Sequence, residues 1–151
     1  MGPYIVFDVG KVQQLKAEFD ASLTFTRSLL PPINWNSQKQ IIGYFEREFG
    51  IILENTRIKT IAGQQSVYAQ DPDLFDLFTG LLQYLKLKAI LVNYIHCILK
   101  HLDGDCLYLR EVDGVWKMPN KQPLPEHSEI ISCIKRFSAE LIPHFSSLTR
   151  P

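Results

Sequence analysis

Apolar positions recur along this chain with changing periods, and the changes divide it into elements. Pro3 to Val9 is apolar apart from Asp8 and reads as extended, and Gly10 breaks it. From Lys11 to Leu30 the apolar positions are Val12, Leu15, Phe19, Leu23 and then Phe25 or Thr26. That spacing predicts an amphipathic helix with one buried face. Pro31-Pro32 ends it, because proline disfavours helix at the preceding residue and donates no N–H. A second helix is predicted from about Ser37 to Phe49, burying Ile41, Ile42, Phe45 and Phe49, with Gly50 as its stop. Leu53 to Ile61 reads as extended and Ala62 to Ser66 as a polar turn.

Asp71 is placed to cap the next helix and Pro72 suits its first position. Leu74 to Leu99 is apolar on more than one face, which predicts one long central helix or two with a kink near Gly80. Asp103-Gly104-Asp105 stops it. Cys106 to Trp116 alternates around a turn at Val112–Val115, a hairpin signal, and Pro119 to Pro125 is an extended proline-rich loop. Ser128 caps a last helix running through Leu141, and Pro143 ends it. The expected fold class is mainly α: a single small domain, 1–151, of long antiparallel helices with a short β-hairpin.

Composition narrows the function. The chain has 151 residues, and 16 basic side chains cancel 16 acidic ones. Phosphate neutralisation supplies most non-specific nucleic-acid affinity, so net zero argues against strong autonomous DNA binding and leaves room for a weak, local contact. Cys97, Cys106 and Cys133 are odd in number and form no Cys-x-x-Cys pair, which suggests neither a zinc site nor a disulfide framework. A reducing, cytoplasmic compartment is the expectation. No secretory leader is apparent, and the most apolar stretch, Ala89 to Leu99, is too short to span a bilayer, so no membrane role is expected.

One segment carries a family resemblance. Asn36-Ser37-Gln38-Lys39-Gln40-Ile41, with Phe45 and the turn Phe49-Gly50-Ile51, resembles the thumb of family A (bacterial polymerase I-like and phage) DNA polymerases. There an Asn-Ser-Pro-Lys-Gln-Leu pattern opens a short helix near the duplex. Three further stretches keep the family's order. Gly2 to Leu15 is similar to the lead into the first thumb helix. Asp71 to Leu99, with Tyr84, Lys86, Lys88 and Tyr94, is similar to the returning helix. Pro119-Asn120-Lys121-Gln122-Pro123-Leu124-Pro125 resembles the Pro-Asn-Leu-Gln-Asn-Ile-Pro segment. The resemblance covers 1–125 and leaves 126–151 as a C-terminal helix without a counterpart.

The departures matter as much. Leu85 stands where the family has an arginine, Gln38 replaces its proline, and Val115-Trp116-Lys117-Met118 replaces its Thr-Gly-Arg-Leu-Ser. No aspartate follows Pro125, whereas two-metal phosphoryl transfer needs paired carboxylates holding ions about 3.5–4 Å apart. The resemblance therefore implies a thumb without the catalytic palm: no catalytic residue, no metal and no cofactor.

The candidate DNA-binding residues form three groups. Asn36, Ser37, Lys39 and Gln40 either meet phosphate oxygens at a helix N-terminus or simply cap that helix. Lys86 and Lys88 lie in the acid-free stretch Leu81–Lys100, and either follow a phosphate backbone or snorkel from a buried helix. Asn120, Lys121 and Gln122 either reach sugar and base edges in a minor groove or form an ordinary surface loop. His96-Cys97 is no nucleophile–base pair, since neighbours on a helix point about 100° apart. Asp103, Asp105 and Asp113 fit no calcium loop. Two functions follow. The first is a non-catalytic thumb-like module that binds primer–template DNA weakly and salt-sensitively, or assists a palm-bearing polymerase partner in DNA replication. The second is a protein-interaction module that kept the fold without the DNA, self-associating or meeting a partner through the Leu74–Leu99 helix.

Overall fold

A computed structural model describes residues 2–145. Helices dominate and the strands are short and antiparallel, so the fold is mainly α. The chain divides into two compact units, one built from 1–20 with 89–151 and the other from 21–88.

In the first unit the apolar run becomes strand β1 (Tyr4–Phe7), the middle strand of a three-stranded sheet. On one side it pairs with β2 (Cys106–Tyr108), Ile5 opposite Leu107. On the other it pairs with β5 (Ile134–Phe137), Ile5 opposite Phe137, with an irregularity between Val6 and Phe7. Ile5, Val6 and Phe7 are all buried, which explains why β1 reads as continuously apolar rather than alternating. Gly10 does not interrupt the chain. Helix α1 (Val9–Ser28) already includes it, because the Asp8 carboxylate accepts a bond from the Lys11 N–H at 3.2 Å and caps the first turn. Val12, Leu15 and Phe19 form its buried stripe in this unit.

The expected C-terminal helix is a correction. Helix α6 lasts one turn, Ser128–Ile131, and follows His127 without a side-chain cap from Ser128. The Ser132 hydroxyl then donates to the Glu129 carbonyl at 2.6 Å, and Ile134 to Phe137 leave as strand β5. Half of β1's hydrogen-bonding groups need a partner on that side, and the half-buried ends of Ile134-Lys135-Arg136-Phe137 fit a strand flank. A 3₁₀ turn at Ala139–Leu141 closes the segment. The stretch Cys106–Trp116 is also divided: β2 joins the β1 sheet. The hairpin proper is β3 (Arg110–Val112) with β4 (Val115–Lys117). Its turn residues Asp113 and Gly114 have φ of 53° and 79°, the left-handed pair of a type I′ turn.

In the second unit α1 continues through Leu23 and Thr26. Thr26 is the buried member and Phe25 is exposed. Helix α2 (Gln38–Phe49) ends at Gly50, whose φ of 66° lets its N–H return to the Glu46 carbonyl. Helix α3 (Ile58–Val67) replaces the expected strand and turn. Asn55 holds its start, accepting from the Arg57 N–H at 3.0 Å and the Thr60 hydroxyl at 2.6 Å, and Ile61 is fully buried. Helix α4 (Pro72–Ile90) starts at the Asp71 cap, whose carboxylate accepts from the Leu74 N–H at 3.3 Å, and runs through Gly80 in α-helical register. A Cβ at Gly80 would lie 3.2 Å from a Leu30 methyl, so glycine there serves packing between α4 and the end of α1. The core centres on Phe45 and Phe78, stacked at 4.8 Å and 5°, with Trp35, Ile41, Ile61 and Leu81 around them.

After Ile90 the helical backbone widens into a π turn, Leu91–Ile95, and resumes as α5 (His96–His101). This part belongs to the first unit.

Candidate nucleic-acid interface

The local sequence 34–40 folds into a chain of short-range bonds that prepares the N-terminus of α2. Ser37, extended at φ −104°, is the N-cap, and its hydroxyl accepts from the Gln40 N–H at 3.2 Å. The Gln40 side chain reaches back to accept from the Asn34 N–H at 3.1 Å, and the Asn34 side chain accepts from the Asn36 N–H at 3.0 Å. The Asn36 amide oxygen takes the Tyr84 hydroxyl at 2.7 Å, linking α2's approach to α4. Gln38 continues the pattern, its oxygen facing the Thr56 N–H and hydroxyl at 3.4 and 3.3 Å. The polar side chains of this motif are thus largely used within the chain. The first-turn N–H groups of Gln38 and Lys39 have no carbonyl behind them, as at any helix start, and point outward.

What remains for a ligand is cationic. Ile33, Ser37, Lys39, Gln40, Gly43 and Arg47 line an open depression of about 430 Å³. Lys39, Gly43 and Arg47 are four residues apart and share one helix face, with nothing within 4 Å of where a Gly43 Cβ would be. The face is therefore a shallow channel between two long cations. Arg47 sits 3.5 Å from Glu48, but both side chains are more than half exposed, so the pair is a weak competitor for an anion. Tyr44 lies on the same helix, its hydroxyl pushed up first by burial and then by the neighbouring Glu48 charge.

Of the other predicted residues, Lys86 is exposed and Lys88 half-buried. Lys88 stands one turn beyond Tyr84, the residue bound to Asn36, on the same face of α4. Asn120, Lys121 and Gln122 belong to the other unit. Their loop is fastened to the π turn: the Asn120 amide donates to the Asn93 carbonyl at 2.8 Å, and its oxygen accepts from the Gln122 N–H at 3.3 Å. Lys121 takes a left-handed φ of 70° so that its N–H can close on the Met118 carbonyl at 2.8 Å. Asn120 thus clamps the loop to the π turn. Sequence reasoning missed Gly43 and Arg47. Their four-residue spacing from Lys39 is the signal that could have found them.

No group of three His, Cys, Asp or Glu side chains among the described residues is placed to hold a metal ion. The three cysteines are free thiols; burial raises the pKa of Cys97 and of Cys133. No helix among the described residues is long and apolar enough to cross a membrane. Compared with known proteins, the chain matches no family model, no curated protein and no solved structure. The likeness to polymerase thumbs accordingly rests on the sequence motifs alone.

Proposed function

We propose that the chain is a non-catalytic, thumb-like module that holds the sugar–phosphate backbone of primer–template DNA at the start of α2, alone or beside a palm-bearing polymerase subunit. The supporting observation is the cationic face Lys39–Gly43–Arg47, which begins at a Ser37-capped helix start and is open enough to admit a phosphate. Backbone N–H groups and the helix dipole would meet one phosphate oxygen, and Lys39 and Arg47 would meet flanking ones. With the Asn36 and Gln40 oxygens occupied, nothing in this set reads bases, so binding is indifferent to sequence. Three neutralised phosphates, at Lys39, Arg47 and Lys88, predict a slope of about −2.7 in log K against log salt. Fluorescence anisotropy of a labelled primer–template at low salt measures it. Changing the three residues together to alanine should flatten the slope, and an unchanged slope in a folded variant would remove the assignment.

The protein-interaction reading has its own support. Phe25 and Leu29, at the end of α1, are 64% and 70% exposed. Leu29 lines an open cleft of about 570 Å³ with Thr26, Leu77 and Gly80. Large apolar side chains beside a cleft are a common mark of a contact surface. Light scattering that shows mass rising with concentration, abolished by Leu29→Ser, would favour this second reading.

A further inference from the structure

Beside the π turn the first unit holds a pocket that the nucleic-acid reading does not use. It measures about 350 Å³, inside the range of about 300–1,000 Å³ usual for small-molecule sites. One wall is helical, with Ile90 and Tyr94, and the other is the run from Pro123 to His127. The π turn carries Tyr94, and the Asn120 bond to the Asn93 carbonyl ties the loop before Pro123 to that turn. Pro123 and Pro125 have no N–H, and helical N–H groups are spent on their own ladder, so the walls offer few donors.

Acceptors are in better supply. Glu126 brings a carboxylate that makes no ion pair with another described residue. Tyr94 brings a hydroxyl close enough to feel it: burial first, and then the Glu126 charge, raises the pKa of that phenol. His127 brings an imidazole whose Nδ1 is enclosed and takes no hydrogen bond among the described residues. Its ring stands edge-to-face against Phe19 of α1, 6.0 Å between centres. No described lysine or arginine lines the pocket, so the fixed charge of the wall is that of Glu126.

We propose that this pocket binds a small organic ammonium ion with a compact apolar body. Its N–H groups donate to the Glu126 carboxylate and the Tyr94 hydroxyl oxygen, and its body lies against Ile90, Leu124 and the prolines. An anion meets the Glu126 charge with no cation to offset it. A neutral ligand displaces water from the carboxylate without making the charge-assisted bond. A metal ion lacks ligands, since no three His, Cys, Asp or Glu side chains among the described residues converge. A partner's lysine is a single methylene stem and leaves much of a cavity this size unfilled. Glu126 is exposed, so the contact is partly solvated and the affinity modest.

The test titrates the whole, isotope-labelled chain at about pH 8, where imidazole is ordinarily neutral and an alkylamine charged. Phenethylammonium is the probe, and 2-phenylethanol has the same body without the charge. Backbone resonances of Tyr94, Glu126 and His127 should move saturably with the amine at millimolar concentration, with affinity at least about tenfold lower for the alcohol. Glu126→Gln should bring the amine down to the level of the alcohol and leave the alcohol unchanged, with the rest of the spectrum retained. Equal affinity of amine and alcohol for the unaltered chain would mean an apolar pocket without charge selection and would overturn the proposal. So would undiminished amine binding by Glu126→Gln, or no saturable movement at these three residues. Tighter binding of blocked lysine than of phenethylammonium would assign the pocket to a partner protein's side chain, which also overturns it.

Discussion

Ser37 and Asn36 are adjacent, yet they are held by forces of different range. Ser37 caps its own helix three residues on. Its replacement by alanine should lower stability by about 1 kcal/mol in urea unfolding, with Ser37→Asp restoring most of it. Asn36 is bound by Tyr84, 48 residues away, so Tyr84→Phe should cost about 1 kcal/mol and raise amide exchange at the α2 start. The first contact was legible in the sequence because capping needs only neighbouring residues. The second was not, because a distant hydroxyl leaves no local trace. The same distinction applies to Asn120, whose bond to the Asn93 carbonyl, 27 residues away, left no local trace either. The buried thiols give a pH effect at this scale. Burial lifts Cys97 and Cys133 above the ordinary value of 9.0, so the unfolded chain releases these protons first. Their contribution is complete below that pH and is lost as pH rises through the folded values. The urea midpoint should therefore fall as pH rises past 9.0, and by less in C97A/C133A.

Elements were predictable where caps and period agreed. Helices α2 and α4 begin beside Ser37 and Asp71, and α2 stops at Gly50, as the residue types dictate. The two misread segments show what overrides propensity. Around α3 the glycine and glutamines favour a turn, but burial of Ile61 and the Asn55 bonds to Arg57 and Thr60 make a helix. Around β5 the apolar spacing fits a helix as well as a strand, and the exposed side of β1 decides. Phe45 and Phe78 join α2 to α4 by face-to-face stacking. Phe78→Ala should cost about 3–5 kcal/mol, the range for a buried aromatic, and should loosen both helices together in hydrogen exchange. If only α4 responded, the stack would not be the link. At the π turn, Asn120→Ala should speed amide exchange from Asn93 into α5, because the carbonyl released there loses its side-chain partner.

At the scale of the whole molecule, neutrality and a local cationic face coexist. The charges of α2 cancel along its length, Lys39 and Arg47 against Glu46 and Glu48, and it is the two cations that line the depression. Composition could report the sum and not the distribution, which is why the sequence spoke against strong DNA binding without finding the face. The division into units has a consequence of another kind, for the order in which the chain folds. The second unit is one uninterrupted segment, whereas β1 must wait for partners at 106–108 and 134–137, across that entire segment. Closing so long a loop is entropically costly, and less so once the intervening chain has collapsed. The segment 21–88 should therefore form first and shorten the search for the sheet. In pulsed hydrogen exchange during refolding, amides near Phe45 and Phe78 should gain protection before those of Ile5 and Val6. Mutations that weaken the second unit would then slow assembly of a sheet whose strands all lie in the first.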